Sequence, residues 1–182
     1  MGDGTGPEAP KTSVNPPPPL APPGVPPAAG TSDADPYWFS FVGKAPPPLS
    51  ADGTWVVGRP TTLSALRGRV VYLQFAFVHC GGCAPMMPYL SAWHAKYEAK
   101  GLSVVYADNG GVDGIVDARK EVVERGIAFP FFHDALGVTT RAYGIRSFPT
   151  AYVIDRSGKV VWDGPPGGQE AAVEALLVRL LE

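Results

Sequence analysis

A chain of 182 residues, 45% hydrophobic and 18% charged, is long enough for one ordinary domain with a sizeable core. Its formal net charge of -2, with no block of like charge, excludes the electrostatic footprint of a nucleic-acid binder and a basic membrane-binding face. No run reaches the roughly 18 apolar residues of a membrane-spanning helix, and Met1-Gly2-Asp3-Gly4 lacks the basic start and apolar core of a secretory leader.

Residues 1–35 are expected to be a disordered arm. Of the 21 prolines, 14 fall in the first 50 residues, and Pro16 to Pro19 are consecutive. Proline removes backbone donors and favours extended chain, and too few apolar residues are present to offset ordering entropy. The composition suits a semi-rigid spacer. The folded domain is assigned to residues 36–182.

Gly53 to Gly58 reads as a short hairpin strand. Thr62 to Gly68 reads as one or two helical turns closed by glycine. Val70 to Phe77 is continuously apolar apart from Gln74, the pattern of a strand covered on both faces. A helix is expected from about Gly81 to Lys100, with Met87, Leu90, Trp93, His94 and Tyr97 at three- and four-residue spacing and a kink at Pro88. Further on, Leu102 to Tyr106 reads as a parallel strand and Val112 to about Arg125 as a helix. Phe129 to Phe132 is a short extended piece, and Leu136 to Tyr143 a short helix. Thr150 to Asp155 and Lys159 to Trp162 form a hairpin, and Gln169 to Leu181 is the final helix. Strand and helix alternate, then a hairpin and a helix follow. That order predicts an α/β sandwich with a mixed sheet.

The only two cysteines, Cys80 and Cys83, lie where the buried strand turns into the helix. Two thiols at this spacing beside a helix N-terminus are the layout of a dithiol/disulfide redox centre. A metal site is the second reading, although two thiolates fill only half of a tetrahedral shell. An inert structural pair is the third. Cys80, preceding the helix, is expected to attack, and Cys83 to resolve the mixed disulfide. Protonated His79 would favour the Cys80 thiolate. His94 and His133 read as structural, His133 as a loop residue. Met86 and Met87 offer soft ligands for copper(I), with core packing the competing role.

The ordered set Leu63-Ser64-Ala65-Leu66-Arg67-Gly68-Arg69-Val70-Val71, Cys80 to Cys83, Pro88, Ala142-Tyr143-Gly144-Ile145, Phe148-Pro149-Thr150 and Val153-Ile154-Asp155-Arg156-Ser157-Gly158 resembles the thioredoxin-like superfamily. Within it the chain is most similar to the TlpA/ResA-type extracytoplasmic thiol–disulfide oxidoreductases. The resemblance implies a thioredoxin-like three-layer α/β/α sandwich and catalysis by Cys80 and Cys83. It implies a cis peptide at Pro149, with Phe148, Pro149 and Thr150 docking an extended substrate segment. It also implies a periplasmic or otherwise extracytoplasmic site of action, a membrane tether outside this sequence, and a reducing role. Protein thiols and disulfides and an upstream redox partner are the implied partners; a monomer, no nucleic acid, no metal and no cofactor are expected. A copper-binding chaperone using the same cysteines is the alternative function. Two departures stand out. Gln74 occupies the place of the thioredoxins' buried aspartate, and His79 that of a frequent tryptophan.

Overall fold

The structure, a computed structural model, describes residues 37–182. The arm assigned to residues 1–35 therefore lies outside the described residues. Six strands form one mixed sheet: β1 (Thr54–Val57), β2 (Val70–Ala76), β3 (Leu102–Asn109), β4 (Phe131–Asp134), β5 (Thr150–Ile154) and β6 (Val160–Gly164), in the order β1-β4-β3-β2-β5-β6. The helices are α1 (Met87–Tyr97), α2 (Ile115–Arg125), α3 (Val138–Ala142) and α4 (Glu170–Leu181).

Strand β2 sits between parallel β3 and antiparallel β5, so all seven of its residues are buried. Its side chains alternate between two cores, as a two-residue period demands. Val70, Tyr72 and Ala76 join the helices α1 and α4 through Leu90, Trp93, Val173 and Leu177. Val71, Leu73 and Phe75 face the other core with Trp38, Tyr143 and Ile145. Trp93 is fully buried and meets the Tyr72 ring edge-on at 5.2 Å.

Several elements differ from the sequence expectations. Cys83 precedes the helix rather than lying within its first turn. Residues Ala84–Met86 form a short 3-10 turn, and α1 starts only at Met87. Pro88 is therefore in the first turn of α1, where no intrahelical N–H is required, and it does not kink a helix interior. The stretch from Leu63 to Gly68 is a series of turns, not a helix. Strand β1 does not pair with its sequence neighbour. It joins β4 antiparallel at the sheet edge. His133, expected in a loop, is a buried residue of β4.

The segment before β1 is fastened to the far end of the sheet. Asp163 of β6 accepts from Trp38 Nε1 at 3.1 Å, Ser40 Oγ at 2.8 Å and the Phe41 N–H at 3.1 Å. Asp163→Asn keeps one acceptor oxygen but removes the charge shared by three donors. It should lower stability by about 1 kcal/mol, read as a lower urea midpoint with unchanged slope.

Three parallel strands, β2, β3 and β4, end on one edge of the sheet. Across that edge Ala76 is paired with Asp108, and Asp108 with His133. The loop carrying both cysteines leaves from the same edge.

Candidate redox site

Cys80 and Cys83 are joined by a disulfide of 2.05 Å. The loop that holds them is a tight turn: the Cys83 N–H donates to the Cys80 carbonyl at 3.0 Å, and the Ala84 N–H to the same carbonyl at 3.2 Å. The Cys83 N–H also lies 3.1 Å from Cys80 Sγ, so the first sulfur faces a backbone donor. A donor there favours the thiolate once the bond opens. Cys80 is 6% exposed and Cys83 1%, which leaves Cys80 the reachable sulfur. Gly81 and Gly82 between them are exposed.

The Phe148–Pro149 peptide bond is cis. This segment lies directly across from the cysteine loop. A Cβ built on Gly82 would stand 3.7 Å from the Phe148 carbonyl oxygen and 3.8 Å from Pro149 Cδ. Phe148 is half-buried, its ring packed edge-on against Phe77 at 5.3 Å. The fold thus brings Phe148 and Pro149 to the cysteines. Thr150 follows Pro149 as the first residue of β5. It is fully buried, and its hydroxyl donates to the Ser147 carbonyl at 2.7 Å.

His79 has a partner that the linear sequence hides. Its Nδ1 lies 2.8 Å from Asp113 Oδ1, while the other Asp113 oxygen accepts the Val78 N–H. Asp113 is held for this by the turn after β3, in which the Val112 and Asp113 N–H groups both donate to the Asn109 carbonyl. The His79 side chain is 68% exposed and that of Asp113 only 5%. The hydrogen bond to Asp113, then its charge, raises the His79 pKa above the ordinary imidazole value. An imidazolium next to Cys80 is thereby favoured. Beside His79, Cys80 and Gly81 opens a groove of about 320 Å³, bounded on the far side by Asp117, Lys120 and Glu121 of α2.

Gln74 is fully buried, its Oε1 accepting the Tyr72 hydroxyl at 2.9 Å, and it carries no charge beneath the site. Besides Asp113, Asp108 is buried near this edge, 2.6 Å from His133 Nδ1. Met86 and Met87 pack into the core with α1. His94 is half-buried with its ring edge toward Phe129. Neither Asp113 nor Asp108 had a sequence signal. Each reads as a turn or strand-end aspartate until the loop after β2 folds onto it.

Comparison with known proteins agrees with this geometry. The chain is 32% identical over 104 residues to a thiol-disulfide oxidoreductase ResA of Bacillus thuringiensis (strain Al Hakam), covering 57% of this chain and 59% of the relative. It is 34% identical over 98 residues to a ResA of Oceanobacillus iheyensis, covering 54% and 50%. The chain thus spans about half to three-fifths of the length of these relatives. Among solved structures it resembles one assigned as a thiol:disulfide interchange protein DsbE from Chlorobium tepidum. The TM-score is 0.64 at 31% identity, over 78% of this chain and 99% of that one. The fold is thioredoxin-like. With the cysteine pair, the Phe148–Pro149 segment and the mixed sheet in this order, and with the Redoxin family matching residues 41–177, the chain belongs to the redoxin family.

Proposed function

We propose that this chain is a thiol–disulfide oxidoreductase that acts through Cys80 and Cys83 on cysteines of other proteins. The observation that carries the reading is the Cys80–Cys83 disulfide, with its outer sulfur facing the Cys83 N–H and the Phe148–Pro149 segment opposite. Working as a reductant, the Cys80 thiolate attacks one sulfur of a substrate disulfide. The Cys80–substrate bond forms, the substrate bond breaks, and the departing thiolate takes a proton from water. Cys83 then gives up its proton and attacks Cys80 Sγ. The intramolecular disulfide forms, and the second substrate sulfur leaves and is protonated. Two electrons have passed to the substrate, and an upstream dithiol protein returns them.

Phe148 and Pro149 offer the docking surface for the substrate chain, and Thr150 contributes backbone only. The half-exposed Phe148 ring suits an apolar residue beside the substrate cysteine. The likeness to the ResA relatives supports action outside the cytoplasm, periplasmic in a two-membrane cell, and the reducing role follows from that setting. Among the described residues no helix is long and apolar enough to cross a membrane.

The core claim is tested by equilibrating the protein in defined thiol buffers and counting alkylated cysteines by mass spectrometry. Reversible interconversion of two thiols and one disulfide supports the reading; a pair fixed in either state overturns it. Copper(I) chaperoning is the competing use of the same sulfurs. It lacks help from Met86 and Met87, whose thioethers are engaged in the core. Tight stoichiometric copper(I) binding lost in Cys80→Ser would favour it over exchange chemistry.

His79 is assigned to tuning the Cys80 thiol. Below its raised pKa the imidazolium stabilises the thiolate, and as pH rises through that pKa the help is lost. His79→Ala should therefore slow Cys80 alkylation about threefold to tenfold near pH 6, with the difference shrinking at higher pH. A constant ratio across the pH range would refute the assignment.

A further inference from the structure

A second acid–base pair lies at the strand ends from which the cysteine loop departs and plays no part in the chemistry above. Asp108 closes β3, and His133 faces it from β4, at the edge from which the loop after β2 departs. Both side chains are buried, 0% and 4% exposed, and only one carboxylate oxygen is used. Asp108 Oδ1 has no hydrogen-bond partner among the described residues. Unsatisfied buried carboxylate oxygens are costly and uncommon. The turn after β3 closes tightly over the pair: a Cβ on Gly110 would fall 2.7 Å from the Ala135 Cα and the Asp134 carbonyl and 2.8 Å from His133 Cε1.

The connection to the cysteine loop runs through charge and backbone. Asp113, which clamps Val78 and His79, acts on Asp108 by like-charge repulsion, and the Val78 N–H draws it the other way. Burial is the largest influence and pushes the Asp108 carboxyl up to about 6. The other groups facing the pair are few. Tyr106 lies on the same strand, its phenol pushed up by burial and then by Asp108, with Glu121 and Arg125 of α2 acting on it as well. Asp134 is turned away, accepting the Thr139 and Thr140 N–H groups of α3. Ala76 of β2 and Thr54 of β1, the strand partners of Asp108 and His133, are uncharged.

We infer that Asp108 and His133 form a buried proton-holding pair that couples proton uptake to reduction of the Cys80–Cys83 disulfide, as positioning residues that act through Asp113 and the Val78–His79 loop. The inference rests on the dithiol reading. When a partner dithiol reduces the disulfide it gives two electrons and two protons and itself becomes a disulfide. One proton ends on the Cys83 sulfur. The Cys80 sulfur is left as thiolate, and its negative charge, relayed through His79, Asp113 and Val78, raises the affinity of the pair, which takes the second proton by exchange with water. Gln74 cannot fill this role, because an amide does not titrate at these pH values.

The test is made on the full chain. The Asp108 carboxyl resonance is titrated by NMR in the oxidised and the reduced protein, starting from its value of about 6. The midpoint should rise by about 1 pH unit on reduction, the size of shift one neighbouring charge produces. Equal midpoints in the two states overturn the inference. Asp108→Asn, which preserves shape, supplies a second readout. Removing the negative charge should speed Cys80 alkylation about tenfold at a fixed pH below the thiol pKa. A folded Asp108→Asn protein with an unchanged or slower profile refutes the coupling and leaves a structural role. A disulfide that cannot be reduced sinks the dithiol reading along with this one. Normal interconversion with an unshifted Asp108 titration sinks this one alone.

Discussion

Cys80→Ser should abolish disulfide exchange, whereas Cys83→Ser should trap it halfway. Without Cys80 the only thiol left, Cys83, is 1% exposed and cannot meet a substrate disulfide, so turnover should fall to the uncatalysed background. Without Cys83 the first attack still proceeds. The Cys80–substrate bond forms, the substrate's first thiolate leaves, and no second thiol stands in position to resolve the adduct. A stable mixed disulfide should accumulate and be seen by mass spectrometry as a one-to-one covalent complex that dithiothreitol releases. Equal trapping by both variants would show that the order of attack is wrong. The Gly81-Gly82 spacer should accommodate the adduct, since a Cβ on Gly81 would meet nothing within 4 Å.

Asp113→Ala should cost about 2–3 kcal/mol of stability, because it removes the nearly buried carboxylate that His79 and the Val78 N–H share and leaves that N–H without its acceptor. The same change should affect the chemistry. His79 loses the bond and the charge that raise its pKa, so more of it is neutral at pH 7 and the Cys80 thiolate is less favoured. The expected result is a lower denaturation midpoint together with slower Cys80 alkylation at neutral pH. Asp113→Asn should recover part of the stability, since the amide oxygen still accepts one hydrogen bond, and little of the rate effect, since the charge is absent. A destabilised Asp113→Ala protein with an unchanged alkylation profile would reduce Asp113 to a loop clamp.

The pH dependence of stability carries a separate signature from Asp108. Its carboxyl is raised above the ordinary carboxylate value to about 6, chiefly by burial. Its folded pKa exceeds its unfolded one, so its contribution is fully present below the unfolded value near 4 and is lost as pH rises through about 6. Urea midpoints measured from pH 4 to 7 should show this decline in the parent protein and a flatter curve in Asp108→Asn. A parent curve that rises steadily over the interval, with no difference in the variant, would contradict the assignment.

How far the sequence led depends on whether a feature is local. Val70 to Ala76 announced itself as a strand covered on both faces because nearly every residue is apolar, and such a run is stable only inside a sheet. The cysteine pair between that strand and a helical pattern marked the candidate site because dithiol chemistry needs only two sulfurs a turn apart. Boundaries failed where local rules compete. Pro88 reads equally as a kink or as a first-turn residue, and only the late start of α1 at Met87 selects the second. His133 follows two phenylalanines and precedes an aspartate, which suits a loop, yet pairing with β3 draws it into β4 and buries it against Asp108.

The sheet-and-helix order and the family are therefore legible in the residues alone, and Cys80 and Cys83 stand out there as the candidate reacting pair. Those rest on periodicity and on residue types close together in the chain. Only the tertiary structure decided what surrounds the sulfurs. Asp113 comes from the loop after β3 and Phe148–Pro149 from the entrance to β5; the Asp108–His133 pair joins the ends of two parallel strands. Strand pairing sets these contacts across 25 to 34 residues of chain for the two His–Asp pairs, and no local propensity encodes a partner that far away.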